Sequence, residues 1–213
     1  MKNAYLIVTD LHYNVNKEHR KNYLGEVLQV LTQIADIRET YLSRGYRVYL
    51  IFLGDVIDGS IQQAEDAMRC QNLFRYYSSL FEEVYVVLGN HEANNVKSNP
   101  FWFLVSDLED EALKSINKAL QPQGLDTVFR LPDKISDGEV TFYFNHFGIE
   151  PKVPDAEGVS IGLFHQNIGS EKICKMWSNY IDVEDAAFVQ AYRYLFFGHL
   201  HLGGGQYFLN KDR

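Results

Sequence analysis

Cysteine is nearly missing from this chain. Cys70 and Cys174 are the only two among 213 residues. They stand far apart and in no ligand spacing, which excludes a disulfide framework and a thiolate zinc site. They read as buried free thiols of a protein in a reducing, cytoplasmic compartment. Proline is sparse, with five scattered residues and no Pro-rich linker. No apolar run approaches the roughly 20 residues of a membrane span. The opening MKNAYLIVTDLHYN meets Asp10 and His12 too early for a signal peptide and reads as a first strand. Positive charge is also short, with 20 Lys and Arg against 28 Asp and Glu, a net charge of −8. Affinity for phosphate backbones comes mainly from basic residues, so the balance argues against a bulk nucleic-acid binder, although bound metal could neutralise part of the acid count. The one local basic cluster, Lys17, His19, Arg20 and Lys21, reads as the solvated start of a helix. Repeats and low-complexity tracts are missing as well. A hydrophobic share of 46% is enough for one sizeable core, so residues 1–213 are expected to form a single domain.

What is present is an alternation of two periodicities. Short β-type runs occur at 4–8 (AYLIV), 48–53 (VYLIFL), 84–88 (VYVVL), 140–144 (VTFYF), 159–164 (VSIGLF) and 194–197 (YLFF). Helical spacing covers 23–42, with Leu24, Val27, Leu28, Leu31, Ile34 and Leu42, then 61–80, 100–120 and 182–193. Strands alternating with helices predict an α/β sheet with helices on its outer faces.

The residues that follow each strand are more informative. They are Thr9-Asp10-Leu11-His12, Gly54-Asp55-Val56-Ile57-Asp58, Gly89-Asn90-His91-Glu92, Asn145-His146, His165-Gln166-Asn167 and Gly198-His199-Leu200-His201. Six strands thus end in a group able to bind metal, and in open α/β sheets the carboxyl ends of strands gather at one edge. Asp10-x-His12 and His199-x-His201 place ligands on alternate residues, which an extended backbone points to one side. Gly54, Gly89 and Gly198 each precede a candidate ligand, where a missing Cβ permits close approach. The donors are oxygen and imidazole nitrogen, which suit Mn²⁺, Fe or Zn²⁺ in a hydrolytic pair. Two such ions, about 3.5–4 Å apart, can clamp an in-line displacement at phosphorus. A bridging carboxylate is then required, and Asp55, in the middle of the sheet order, is the best candidate.

Taken in this order, D-x-H, G-D-x-x-D, G-N-H-E and G-H-x-H resemble the motifs of the calcineurin-like metallophosphoesterase superfamily, from Asp10 to His201. The resemblance implies a four-layer αββα sandwich with a dinuclear site on its edge. Carried over by motif, Asp10, His12, Asp55 and His201 hold one metal, and Asp55, Asn90, His165 and His199 hold the other. His91 stands beside the metals as a catalytic residue, either donating a proton to the leaving oxygen or steadying the transition-state charge. Asp58, the second acid of G-D-x-x-D, buttresses its loop next to that machinery. The family also needs a histidine between G-N-H-E and G-H-x-H, for which His146 and His165 both qualify. His165 is favoured, which leaves His146 as a strand-end or buried histidine. Asn167 reads as a turn former that could instead touch substrate.

Within the superfamily, LFHQN, GDVIDGS with Gly59 and Ser60, and the long helix after D-x-H resemble the SbcD-type DNA-repair nuclease subunits. That likeness implies a DNA exo- or endonuclease using Mn²⁺ and working with an SbcC-type coiled-coil ATPase. The chain runs only twelve residues beyond His201, room for one more strand at QYFLN, so the sandwich is expected to be short of its last strands. The alternatives are a small-molecule or nucleotide phosphatase or phosphodiesterase on the same fold, and a non-catalytic metal-bound scaffold. Phe and Tyr number fourteen each. Tyr13, Phe101, Trp102 and Phe103 could stack on a base but are better read as core packing. FWFL at 101–104 is too apolar to be freely exposed, so it is buried on the sheet or covered by a partner or a second copy.

Overall fold

The computed structural model describes residues 2–13, 23–58, 64–94, 100–105, 129–155, 157–169, 180–182 and 191–199. Lys17, His19, Arg20, Lys21, Gly59, Ser60, residues 106–128, Cys174, residues 183–190, His201 and QYFLN lie outside them.

Four strands, β1 (Lys2–Val8), β2 (Tyr46–Leu53), β3 (Val84–Val87) and β4 (Phe129–Arg130), pair in that order and all parallel. A second sheet has the order β10 (Tyr194–Gly198), β7 (Val159–His165), β6 (Val140–Asn145), β5 (Lys134–Asp137). In it β6, β7 and β10 are parallel and β5 is antiparallel to β6. A two-stranded ribbon joins β8 (Asn167–Gly169) to β9 (Tyr180–Asp182).

The sheets face each other. Ile51, Leu53, Tyr85 and Val87 from the first meet Phe142, Phe144 and Leu163 from the second. The alternate residues Leu50, Phe52, Val84 and Val86 point the other way, under α1 (Tyr23–Ser43) and α2 (Ala64–Ser78). This two-sided burial is why the strands read as unbroken apolar runs rather than as alternations. Helix α1 buries Val27, Leu31 and Ile34, one stripe at helical spacing, and α2 inserts Cys70 and Phe74. Cys70 is a buried free thiol. The far face of the second sheet packs Tyr143, Phe164 and Tyr192. Two facing sheets with helices outside make an α/β sandwich of the expected class.

The six expected strands form within two residues of their predicted bounds, and the first two helices form close to theirs. Other expectations need correction. Pro100–Phe103 is a short 3₁₀ turn, the described start of the helix expected over 100–120. Asp182, expected to open a helix, closes β9. Asn167 begins β8 and is therefore strand rather than turn. Strand β5 was not anticipated, although Asp137-Gly138 marks its hairpin to β6. Phe101, Trp102 and Leu104 of the FWFL segment belong to the core. Phe101 and Leu104 are fully buried, Phe101 stacks on Phe129 at 5.5 Å, and Trp102 donates to the Glu92 carbonyl at 3.1 Å. Tyr13 is buried too, edge-on to Phe74. Among the described residues no helix is long and apolar enough to cross a membrane.

Candidate metal centre

Parallel pairing in both sheets brings the ends of β1, β2, β3, β6, β7 and β10 to one edge, where Asp10, His12, Asp55, Asp58, His91, His165 and His199 gather among the described residues. Ligand atoms of Asp10, His12 and Asp55 lie within 4.8 Å of one another. So do those of Asp55, His165 and His199. Asp55 is the shared member. Its Oδ2 is 3.7 Å from His12 Nε2 and 3.1 Å from His165 Nε2. A third such group, His12, Asp58 and His91, stands alongside.

The loops reach this edge through strained backbone rather than extended strand. Asp10, His12, Asp55 and His199 have φ of 52°, 47°, 49° and 82°. This left-handed region is costly for non-glycine residues and tends to persist at functional sites. The expectation that Asp10 and His12 share a side through strand alternation is therefore wrong in its cause. β1 ends at Val8, and two left-handed residues turn the side chains together. Hydrogen bonds between loops hold the turn: Asp10 N donates to Gly54 O, His12 N to Asp55 O, Tyr13 N to Val56 O, and Asp58 N to Tyr13 O. Asp10 in turn accepts from His199 N at 3.1 and 3.0 Å, which ties the first loop to the last strand.

The close-approach glycines are needed. At Gly54, with φ +78°, a Cβ would lie 2.1 Å from His165 Nδ1. At Gly89 it would lie 2.1 Å from Asp55 Oδ1. No side chain fits at either position without displacing a candidate ligand.

Histidine tautomers are set by backbone. His165, fully buried, has Nδ1 2.7 Å from the Leu53 carbonyl, so Nδ1 carries the proton and Nε2 faces Asp55. His146 has a different environment. Its Nδ1 accepts from Leu88 N at 3.0 Å, and burial pushes its pKa down to about 4. It therefore stays neutral and takes no part in the three ligand groups. His91 Nδ1 lies 2.7 Å from Asp58 Oδ1, and its Nε2 lies 4.0 Å from Asp55 Oδ2.

The electrostatics favour cations. Burial pushes the Asp10 carboxyl up, but hydrogen bonds from His12 and Thr9 outweigh it and hold the pKa at about 2. Asp55 is likewise lowered, against burial, by His165 and His91. His12 and His165 are raised, against burial, by the facing carboxylates. Asn90 Oδ1 is buried with no hydrogen-bond partner among the described residues, and His165 Nε2 faces only the Asp55 carboxylate, at 3.1 Å and outside hydrogen-bond geometry. Buried polar atoms are rarely left so, and both are metal-ligand types.

The family model for calcineurin-like phosphoesterases matches residues 4–203. The chain belongs to the calcineurin-like phosphoesterase family. It is accordingly a metal-dependent hydrolase of phosphoric esters, and the family uses a dinuclear divalent centre. No curated protein matches the chain. The residues present fit that centre in donor type, in the shared carboxylate and in the two unsatisfied buried atoms.

Two phosphoesterase residues escaped the sequence reading. Glu92, the last letter of G-N-H-E, is fully buried. Its carboxylate accepts from Asp55 N at 3.0 Å, Val56 N at 2.8 Å, Ile57 N at 3.1 Å and Gly89 N at 3.0 Å. It holds the Asp55 loop and the Asn90 loop together. Thr9 donates to Asp10 and sits 3.0 Å from Leu53 O, bracing the first ligand. An acid inside a motif signals Glu92, whereas nothing local distinguishes Thr9.

Proposed function

We propose that this phosphoesterase cleaves phosphodiesters as a single domain over 1–213, and that its substrate is DNA, in the manner of SbcD-type nucleases. The observation that carries the reading is Asp55, shared by two ligand groups. On this reading Asp10, His12, Asp55 and His201 hold one ion, His201 lying outside the described residues. Asp55, Asn90, His165 and His199 hold the other. The oxygen and imidazole donors favour Mn²⁺. When bound, the ions supply Lewis acidity toward phosphoryl oxygens and acidify a water molecule.

The chain's own residues do the rest. Asp58 fixes Nδ1 of His91 and so aims Nε2 at the centre. From there Nε2 passes its proton to the departing oxygen. Four left-handed residues and the Glu92 brace keep the ligands in place before substrate arrives, which limits reorganisation during the reaction. The His165-Gln166-Asn167 segment supports the nuclease branch by resemblance, and with it a coiled-coil ATPase partner and a cytoplasmic setting.

The test is hydrolysis with Mn²⁺ of single- and double-stranded DNA, cyclic and dinucleoside phosphates, and an aryl diester against an aryl monoester. DNA and diester cleavage are expected. Robust monoester hydrolysis without diester hydrolysis overturns the reading.

A further inference from the structure

His146 lies outside every ligand group, yet it is only 6% exposed and hydrogen-bonded on several sides. Its Nδ1 accepts from Leu88 N, and the next residue, Phe147, donates from N to Leu88 O at 2.9 Å. Leu88 is thus gripped at both backbone atoms, two residues before Asn90. On the other side, the His146 carbonyl accepts from Gln166 Nε2 at 3.3 Å, and the same nitrogen reaches Ile149 O at 3.2 Å. Gln166 is buried and directly follows His165. One short segment after β6 therefore ties the turn that leads into Asn90 to the end of β7, which carries His165.

We propose that His146 and Gln166 form a bracket that sets the separation of Asn90 and His165, and so tunes one metal position without touching the other. The inference rests on the ligand assignment proposed above. Among the described residues, Asn90 Oδ1 and His165 Nε2 are both buried metal-ligand atoms without a hydrogen-bond partner, so their separation decides whether an ion fits between them. Asp10 and His12 are held by a different set of bonds, to Gly54 and Asp55. His146 is suited to the task because burial keeps it neutral, which leaves Nδ1 an acceptor for Leu88 N.

The experiment is a two-site Mn²⁺ titration by calorimetry, with electron paramagnetic resonance reading whether the ions are exchange-coupled. Wild type, His146→Leu, His146→Asn and Gln166→Met are compared, each first checked for folding by circular dichroism. Wild type is expected to bind two ions and give a coupled signal. His146→Leu should weaken one site by roughly 10-fold or more, the scale of outer-shell effects, and show an uncoupled signal at two equivalents. His146→Asn puts an amide oxygen where Nδ1 stood and should restore coupling. Gln166→Met cuts the bracket from the end of β7 and should repeat the selective loss. Unchanged binding in folded His146→Leu or Gln166→Met overturns the bracket, as does equal weakening of both sites or a folded Asn variant that fails to rescue. Wild type that binds no pair of ions overturns the ligand assignment itself.

Discussion

Replacing Glu92 by Gln changes one oxygen to an NH₂ group and almost nothing in shape. Oε1 accepts from Val56 N and Ile57 N, and Oε2 accepts from Asp55 N and Gly89 N. Whichever way the amide turns, two backbone donors lose their acceptor and face another donor. A hydrogen bond to a charged acceptor contributes about 1.5–3 kcal/mol. Two such losses are partly offset because a buried charge beside Asp55 is removed. The net cost is then about 3 kcal/mol. For a chain of this size that lowers Tm by about 6–12 °C. The assay is thermal unfolding at pH 8 with chelator present. Burial and the Asp55 charge push the Glu92 carboxyl up to about 7, so at pH 8 it is ionised in the folded and the unfolded protein alike. Mn²⁺ titration of the same variant should show weaker binding, because the brace positions both Asp55 and the Asn90 loop. A Gln variant as stable as wild type at pH 8 would mean that the carboxylate is not what holds the two loops, and the reasoning fails.

His91→Asn should keep two Mn²⁺ ions and lose roughly 10²–10⁴-fold in kcat, the usual contribution of a placed proton donor; lost metal binding, or full activity, counts against the assigned role. His146 makes the metal-free protein acid-sensitive. Above pH 6.5 it is neutral folded or unfolded, whereas below 6.5 the unfolded chain takes a proton that the fold refuses until about pH 4. Stability contributed by neutral His146 is therefore lost as pH falls through this window, by about 3 kcal/mol in total. Urea unfolding of wild type against His146→Asn from pH 7 to pH 4 reads the difference, and parallel curves would refute it. Gly89→Ala places a methyl 2.1 Å from Asp55 Oδ1 and 2.4 Å from Asp55 N. The strain should cost about 1–3 kcal/mol and impair Mn²⁺ binding in calorimetry; unchanged stability and affinity would show that the close approach is not needed.

The strand runs and the first two helices were legible because each carries its burial in its periodicity. Leu50, Ile51, Phe52 and Leu53 are apolar in succession since both faces of β2 are covered. Strands β4, β8 and β9 have two or three residues, too few for any period. The position of candidate ligands after strands was legible for the same reason: a strand that stops at a polar residue shows where the sheet edge lies.

His165 was favoured over His146 partly on family resemblance, and the structure groups His165, not His146, with Asp55 and His199; local pattern alone did not separate the two. Both follow an apolar strand, and the difference is which neighbour each ring meets: a backbone N–H at Leu88 for one, the Leu53 carbonyl and Asp55 for the other. These partners are remote in sequence, so local pattern carries no trace of them. The same holds for Glu92, whose four donors come from two loops, and for the left-handed turns that aim Asp10 and His12. Residue order alone determined the chemistry on offer, namely which oxygen and nitrogen donors follow which strands. Packing of the two sheets decided which of those donors meet, because only parallel strands, closed by long-range hydrogen bonds, bring groups up to 189 positions apart, such as Asp10 and His199, into contact.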